Sequence, residues 1–213
     1  MKAFIFDLDG VLVFTDKYHY EAWKKLADRL GIYFDEKINN RLRGVSRMES
    51  LEIILERADR DYTDEEKQAF ATEKNETYRN LLSQMTPEDV TADVRETLEE
   101  LKRRGHKLAI GSSSKNTKYI LERVNLIDMF DAISDGTNIT RSKPDPEVFL
   151  KAAEFIGEEP KNCIVIEDAY SGIDAAKAAG MTAVGIGDAS GYEKSDIVIS
   201  QISDIMKNDV GNH

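Results

Sequence analysis

Residues Ala3-Phe4-Ile5-Phe6 form an apolar run with no polar interruption, and Asp7-Leu8-Asp9-Gly10 follows at once. A strand with one face in water alternates polar and apolar residues. A run that is apolar throughout reads instead as a strand buried on both faces, the mark of a parallel sheet covered by helices. In an extended strand, residues i and i+2 point to the same side. Asp7 and Asp9 are therefore expected to project together from the carboxyl end. Open α/β sheets bind ligands there. Two acids at that place can divide the work, one as nucleophile and metal ligand, the other as general acid/base. Alone, the same residues equally describe a strand that ends in an Asp-Gly turn.

The rest of the chain decides between these readings. After the first strand the pattern is helical. Tyr20, Trp23, Leu26, Ala27 and Leu30 recur at helical spacing up to a stop at Gly31. Gly44-Val45-Ser46 is a break, and Ser46 with Glu49 makes a capping box ahead of Leu51, Ile54, Leu55 and Ala58. Thr63 caps a further helix through Phe70 to about Leu82. From Pro87 onward short apolar strands alternate with helices. The strands are Leu108–Gly111, Ala132–Ile133, Ile164–Ile166, Ala183–Ile186 and Ile197–Ile199, and the helices lie near Val94–Leu101, Ile120–Val124, Val148–Ile156 and Ala175–Ala179. This alternation predicts an α/β fold with a doubly wound parallel sheet, a Rossmann-like core. The first strand belongs with the second half, so the expected organisation is a core of residues 1–14 and 87–213 with an inserted all-helical cap domain, residues 15–86.

Composition narrows the function classes. The 213 residues carry a net charge of −11, which argues against general binding to nucleic acid or to an anionic membrane. No apolar run approaches the ~20 residues of a membrane span. No signal-peptide layout opens the sequence. The single cysteine, Cys163, forms no internal disulfide and reads as a small core residue. His19, His106 and His213 are far apart and make no metal-binding pair. A cytoplasmic monomer acting on a small molecule is the expectation.

Four polar clusters fall at or beyond carboxyl ends of core strands: Asp7 with Asp9, Ser112-Ser113-Ser114-Lys115-Asn116, Ser142-Lys143-Pro144, and Glu167-Asp168. Each has an ordinary reading as a turn, a helix cap or a solvated charge. Four such clusters at successive strand ends are hard to attribute to accident, and their chemistry is complementary. Asp7, Asp168 and, as a further candidate, Glu167 offer hard oxygen ligands suited to Mg²⁺. Lys143 offers a fixed positive charge. Ser112 and the backbone amides after it can hold phosphate oxygens. A carboxylate attacking phosphorus needs the repulsion between anions neutralised, and a metal with a lysine does this. The reaction class is phosphoryl transfer through an aspartyl phosphate.

Asp7-Leu8-Asp9-Gly10-Val11, Gly111-Ser112-Ser113-Ser114, Lys143-Pro144-Asp145-Pro146 and Glu167-Asp168-Ala169-Tyr170-Ser171-Gly172 resemble, in order, the four motifs of the haloacid dehalogenase-like superfamily. The resemblance implies that Asp7 is the nucleophile and Asp9 the general acid/base. It also implies Mg²⁺ held by Asp7, the backbone carbonyl of Asp9, Asp168 and Glu167.

A narrower resemblance is to the β-phosphoglucomutase family. Thr15, Tyr18-His19 and Ala22-Trp23-Lys24 are similar to its hinge and first cap helix. Gly44-Val45-Ser46-Arg47 with Ser50 is similar to its cap loop, where the arginine grips the distal phosphate. Lys74-Asn75 and Ser114-Lys115-Asn116 match its substrate-contacting positions. On periodicity alone Trp23 is a core residue, while His19, Arg47 and Lys74 are solvated side chains. The chain departs from many relatives in having Phe14, rather than Asp, before the hinge residue, and Ala169, rather than Ser, after Glu167-Asp168. The implied activity is Mg²⁺-dependent interconversion of β-D-glucose 1-phosphate and 6-phosphate through a bisphosphate. The alternatives are a sugar-phosphate phosphatase and a catalytically silent phosphate-binding module.

Overall fold

The computed structural model describes residues 2–42 and 46–207. The chain divides into two compact units, Met1–Phe14 with Thr86–His213, and Thr15–Met85.

The first unit is built on a six-stranded, wholly parallel sheet of order β3-β2-β1-β4-β5-β6. The strands are β1 (Ala3–Phe6), β2 (Lys107–Gly111), β3 (Ala132–Ser134), β4 (Cys163–Glu167), β5 (Thr182–Gly185) and β6 (Ile197–Val198). Ile5 sits in register with Ala109 on one side and Val165 on the other. The odd residues of β1, Ala3 and Ile5, enter a core with Phe149 and Ala152 of helix Glu147–Phe155 and with Ile173 and Ala176 of helix Tyr170–Ala178. The even residues, Phe4 and Phe6, face the opposite way. There Phe4 meets the His106 ring edge-on and Phe6 meets Phe130. Both faces are covered, so β1 needs no polar residue. Complete burial of a side chain the size of Phe149 contributes about 2–3 kcal/mol.

The chain moves outward in opposite directions from the central pair β1 and β4. That is the switch point beside which doubly wound sheets open a crevice at their carboxyl ends. Asp7 follows β1, Ser112 follows β2, and Glu167 closes β4. Lys143 lies on the connection from β3 to the helix at Glu147. Cys163 begins β4 and is fully buried, and burial pushes its thiol up to about 11.

Several boundaries differ from the pattern in the sequence. Ser134 extends β3, while β5 stops at Gly185 and β6 at Val198. Helix Thr117–Arg123 begins before Ile120, and helix Tyr170–Ala178 begins before Ala175. These first turns follow the loops that leave the strand ends, where small and polar residues give no helical periodicity.

The second unit is helical, with no strand among its described residues. Its α-helices are Asp16–Arg29, Glu36–Asn40, Arg47–Leu55 and Asp64–Leu82. Capping boxes open the third and fourth, at Ser46 with Glu49 and at Thr63 with Glu66. The short second helix carries too few residues for a periodic signal. Asp35 caps it by accepting from the Ile38 amide. Trp23, Leu26, Phe34, Leu51 and Ile54 form the core of this unit. No helix of the described residues is long and apolar enough to cross a membrane.

Candidate active site

We label the helices of the first unit α5 (Ala92–Arg103), α6 (Thr117–Arg123), α7 (Glu147–Phe155) and α8 (Tyr170–Ala178), and those of the helical unit α1 (Asp16–Arg29) to α4 (Asp64–Leu82). The site in the first unit starts where β1 ends. Strand pairing stops at Phe6, although the Asp7 amide still donates to the Ile166 carbonyl of β4 at 2.9 Å. Asp7 is thereby fixed at the strand mouth. Asp9 lies beyond it in a tight loop, where the Gly10 amide donates to the Val13 carbonyl at 2.7 Å. The alternation of an extended strand therefore does not govern the pair, because β1 is too short to contain either acid. Gly10 has a φ of +85°, and a Cβ there would lie 2.1 Å from Asp168 Oδ2. Glycine is required on both counts.

Lys143 joins the clusters. Its Nζ donates to Asp7 Oδ1 at 2.5 Å and to Glu167 Oε2 at 2.7 Å, with only 8% of the side chain exposed. Burial by itself would lower the ammonium pKa. The facing Asp7 and Glu167 carboxylates more than reverse this, so it stays protonated. The ring of Phe149 lies 4.8 Å from the same nitrogen. Glu167 also accepts from the Ala169 amide at 3.2 Å. Gly172 leaves room for it, since a Cβ there would lie 1.9 Å from its carboxyl carbon.

Asp7, Glu167 and Asp168 bring carboxylate oxygens within 4.8 Å of one another. Burial, then repulsion from Asp7, pushes Glu167 upward, and burial, then repulsion from Glu167, Asp7 and Asp9, does the same to Asp168. One lysine does not balance this many carboxylates. An all-oxygen set with excess negative charge fits a hard divalent cation such as Mg²⁺. Asp7, Glu167 and Asp168 are the residues that could hold it; Asp7 and Glu167 each also give one oxygen to Lys143, and among the described residues Asp168 has no ion pair with that lysine.

The loop after β2 is closely knit. The Ser112 amide donates to Ser134, Ser112 Oγ accepts from the Ser114 amide at 3.2 Å, and Ser114 Oγ accepts from the Asn116 amide at 3.1 Å. The amides of Ser114 and Asn116 are thus engaged within the loop. Ser112 and Asn116 are buried, Ser114 is half-buried and Lys115 is exposed. Ser113 Oγ is buried with no hydrogen-bond partner among the described residues.

A second cluster lies within the helical unit. Lys74 of α4 is only 3% exposed, with its Nζ 2.9 Å from His19 Nδ1 of α1. The faces of Trp23 and Tyr78 lie 4.8 and 4.6 Å from that nitrogen. Arg47 donates to Asn75 Oδ1 at 2.9 Å. Burial, then the nearby Arg47, lowers Lys74 to about 7. Burial, then Lys74 and Arg47, holds His19 well below the usual histidine range. The result is a sheltered cationic cluster suited to an anion. Thr15 Oγ1 pairs with Tyr78 Oη at 2.9 Å, and Ser50 is buried. Ser46 Oγ caps α3 by accepting from the Glu49 amide. Gly44 and Val45 lie outside the described residues.

Two members of these clusters were not singled out from sequence. Tyr78 stacks on His19 with ring centroids 4.0 Å apart. Its i,i+4 relation to Lys74 was the available signal. Phe149 resembles any core aromatic, and only folding brings it beside Lys143.

Comparisons with known proteins agree with this architecture. A family model described as haloacid dehalogenase-like hydrolase matches residues 1–180. The chain is 46% identical over 207 residues to a β-phosphoglucomutase of Bacillus subtilis, covering 96% of this chain and 92% of the relative. It is 34% identical to a phosphorylated carbohydrates phosphatase of Thermotoga maritima, over 85% of this chain and 82% of the relative. A crystal structure of β-phosphoglucomutase from Clostridium difficile superposes with a TM-score of 0.89 at 40% identity, covering 96% of this chain and 93% of that one. With its six-stranded parallel sheet and its carboxylates and lysine gathered at the strand ends, this chain belongs to the haloacid dehalogenase-like hydrolase family.

Proposed function

We propose that this protein is a Mg²⁺-dependent β-phosphoglucomutase that interconverts β-D-glucose 1-phosphate and β-D-glucose 6-phosphate. The observation that carries the reading is the sheltered basic cluster of Arg47 and Lys74, with the neutral His19 ring against Lys74, present in addition to the carboxylate–lysine site. A phosphatase needs a place for one phosphate. A mutase working through a bisphosphate needs two. The 46% identity to the Bacillus subtilis enzyme supports the same reading. Residues 15–86 are read as the substrate-selecting cap domain, and residues 1–14 and 87–213 as the catalytic domain.

In the proposed cycle an Asp7 carboxylate oxygen attacks phosphorus, and the bond from phosphorus to the sugar oxygen breaks. Asp9 gives a proton to that departing oxygen. In the second half a different sugar hydroxyl attacks the aspartyl phosphate, Asp9 takes its proton, and Asp7 is regenerated. Lys143 offsets the charge of the transferring group. Ser112 and its neighbours Ser113, Ser114, Lys115 and Asn116 orient phosphate and sugar oxygens. Arg47, with its fork geometry, grips the phosphate that is not reacting, and Asn75 fixes its planar head. Mg²⁺, held by Asp7, Asp168 and the Asp9 carbonyl, would supply Lewis-acid stabilisation of the transferring phosphoryl group. A cytoplasmic, monomeric enzyme without nucleic-acid or membrane partners belongs to the same proposal.

The rival is hydrolysis by the same nucleophile, as the name of the Thermotoga maritima relative suggests. The deciding assay gives the protein β-glucose 1-phosphate, Mg²⁺ and a trace of β-glucose 1,6-bisphosphate. Glucose 6-phosphate is the expected product. Release of inorganic phosphate in its place would establish the phosphatase.

A further inference from the structure

Lys143 is carried by the connection between β3 and α7, a segment without regular hydrogen bonding. Something must hold that segment if Nζ is to stay between Asp7 and Glu167. The backbone supplies little: the Asp145 amide donates to Ser142 at 3.1 Å. The main restraint comes from the first residue of α7. Glu147 Oε2 accepts from the Thr140 amide at 3.0 Å, the Thr140 hydroxyl at 2.9 Å and the Arg141 amide at 2.8 Å. Its other oxygen meets Lys151 Nζ at 3.0 Å, and Lys151 also donates to the Asn138 carbonyl. Asp145 Oδ1 in turn accepts the Glu147 amide at 3.0 Å, while Asp145 Oδ2 pairs with Arg141 at 3.1 Å.

The segment 140–147 is therefore closed into a ring by one carboxylate, with Lys143 inside the ring. The helix behind it is anchored independently. Phe149 is fully buried, and a Cβ at Gly111 would lie 2.5 Å from its ring. Glu147 thus links the anchored helix to the loop that carries the lysine. Lys151 and the two backbone amides hold its carboxyl down to about 2, so it stays ionised under ordinary conditions.

We infer that Glu147 is the positioning residue for Lys143, the side chain that keeps the ammonium on station beside Asp7. This rests on the reading of Lys143 as the group that offsets phosphoryl charge. A displacement of about 1 Å of such a group can lower turnover by about 10²-fold. Glutamine keeps one acceptor but loses the charge, so Glu147→Gln should fall between wild type and Glu147→Ala.

The experiment is a double-mutant cycle on turnover of acetyl phosphate with Mg²⁺, with thermal midpoints recorded for every variant. The expected result is a loss of about 10²-fold in kcat/KM for Glu147→Ala, a smaller loss for Glu147→Gln, and less than about threefold further loss when either is added to Lys143→Ala. Equal losses in the two backgrounds would overturn the inference and make Glu147 a general structural residue. Wild-type turnover in Lys143→Ala itself would remove the reading of the lysine, and the inference with it. Should Glu147→Ala not fold, the Glu147→Gln arm of the cycle carries the same decision.

Discussion

Replacing Lys74 by methionine should make the protein more stable, and by an amount that depends on pH. Lys74 is buried, has no carboxylate partner among the described residues, and is lowered to about 7 from the ~10.4 of an unfolded chain. At ~1.36 kcal/mol per pKa unit, that difference corresponds to a penalty on the order of 3–5 kcal/mol when both states are protonated. The rings of Trp23 and Tyr78 sit close to the ammonium and recover about 1 kcal/mol. Losing the contact with His19 costs about another 1 kcal/mol. The net gain for Lys74→Met is therefore about 2 kcal/mol near pH 6, where folded and unfolded lysine both carry the proton. Between about pH 7 and pH 10 the unfolded chain keeps a proton that the folded chain has released. Wild-type stability climbs through that window and the advantage of the variant shrinks. Denaturant unfolding followed by the fluorescence of Trp23, the single tryptophan and a neighbour of Lys74, measures both quantities. A variant less stable than wild type near pH 6, or a gap that does not change with pH, would refute the reasoning. A residue retained against stability points to use, here as an anion-binding charge.

Other outcomes follow from the same geometry. The affinity for a phosphosugar should weaken as pH rises through about 7, where Lys74 loses its proton, and Lys74→Met should flatten that dependence in a titration of KM against pH. Arg47→Ala should lower kcat/KM for β-glucose 1-phosphate by roughly 10–100-fold, the range of a hydrogen bond to a charged group, and leave acetyl phosphate turnover nearly unchanged. Equal losses on both substrates would make Arg47 structural. Gly10→Ala should destabilise the protein by about 2 kcal/mol and weaken Mg²⁺ binding in a calorimetric titration, because the added methyl meets Asp168 at a left-handed backbone position. Unchanged Mg²⁺ affinity would detach Asp168 from the metal.

Much of the core was legible because parallel strands covered on both faces are written as continuous apolar runs. Phe4-Ile5-Phe6 and Ile164-Val165-Ile166 cannot be anything periodic, and the polar residues after them mark the strand ends. The meeting of Asp7 with Lys143 was expected from topology, although 136 positions separate them. The local geometry was less legible. The i,i+2 argument for Asp7 and Asp9 assumed an extended strand that stops at Phe6. His19 and Lys74 read separately as surface charges. Their contact spans 55 positions and depends on how α1 packs on α4, information that no local pattern carries. Glu147 was invisible for a different reason: it bonds backbone amides, and amides leave no mark in a sequence.

The most direct test of the central claim is to find the phosphoryl group. The protein is incubated with acetyl phosphate and Mg²⁺, quenched in acid, and mapped by peptide mass spectrometry. The account predicts a phosphorylated N-terminal peptide with the modification on Asp7, and none in Asp7→Asn. A phosphoryl group on another residue, or an unmodified Asp7 under conditions of active turnover, would contradict it.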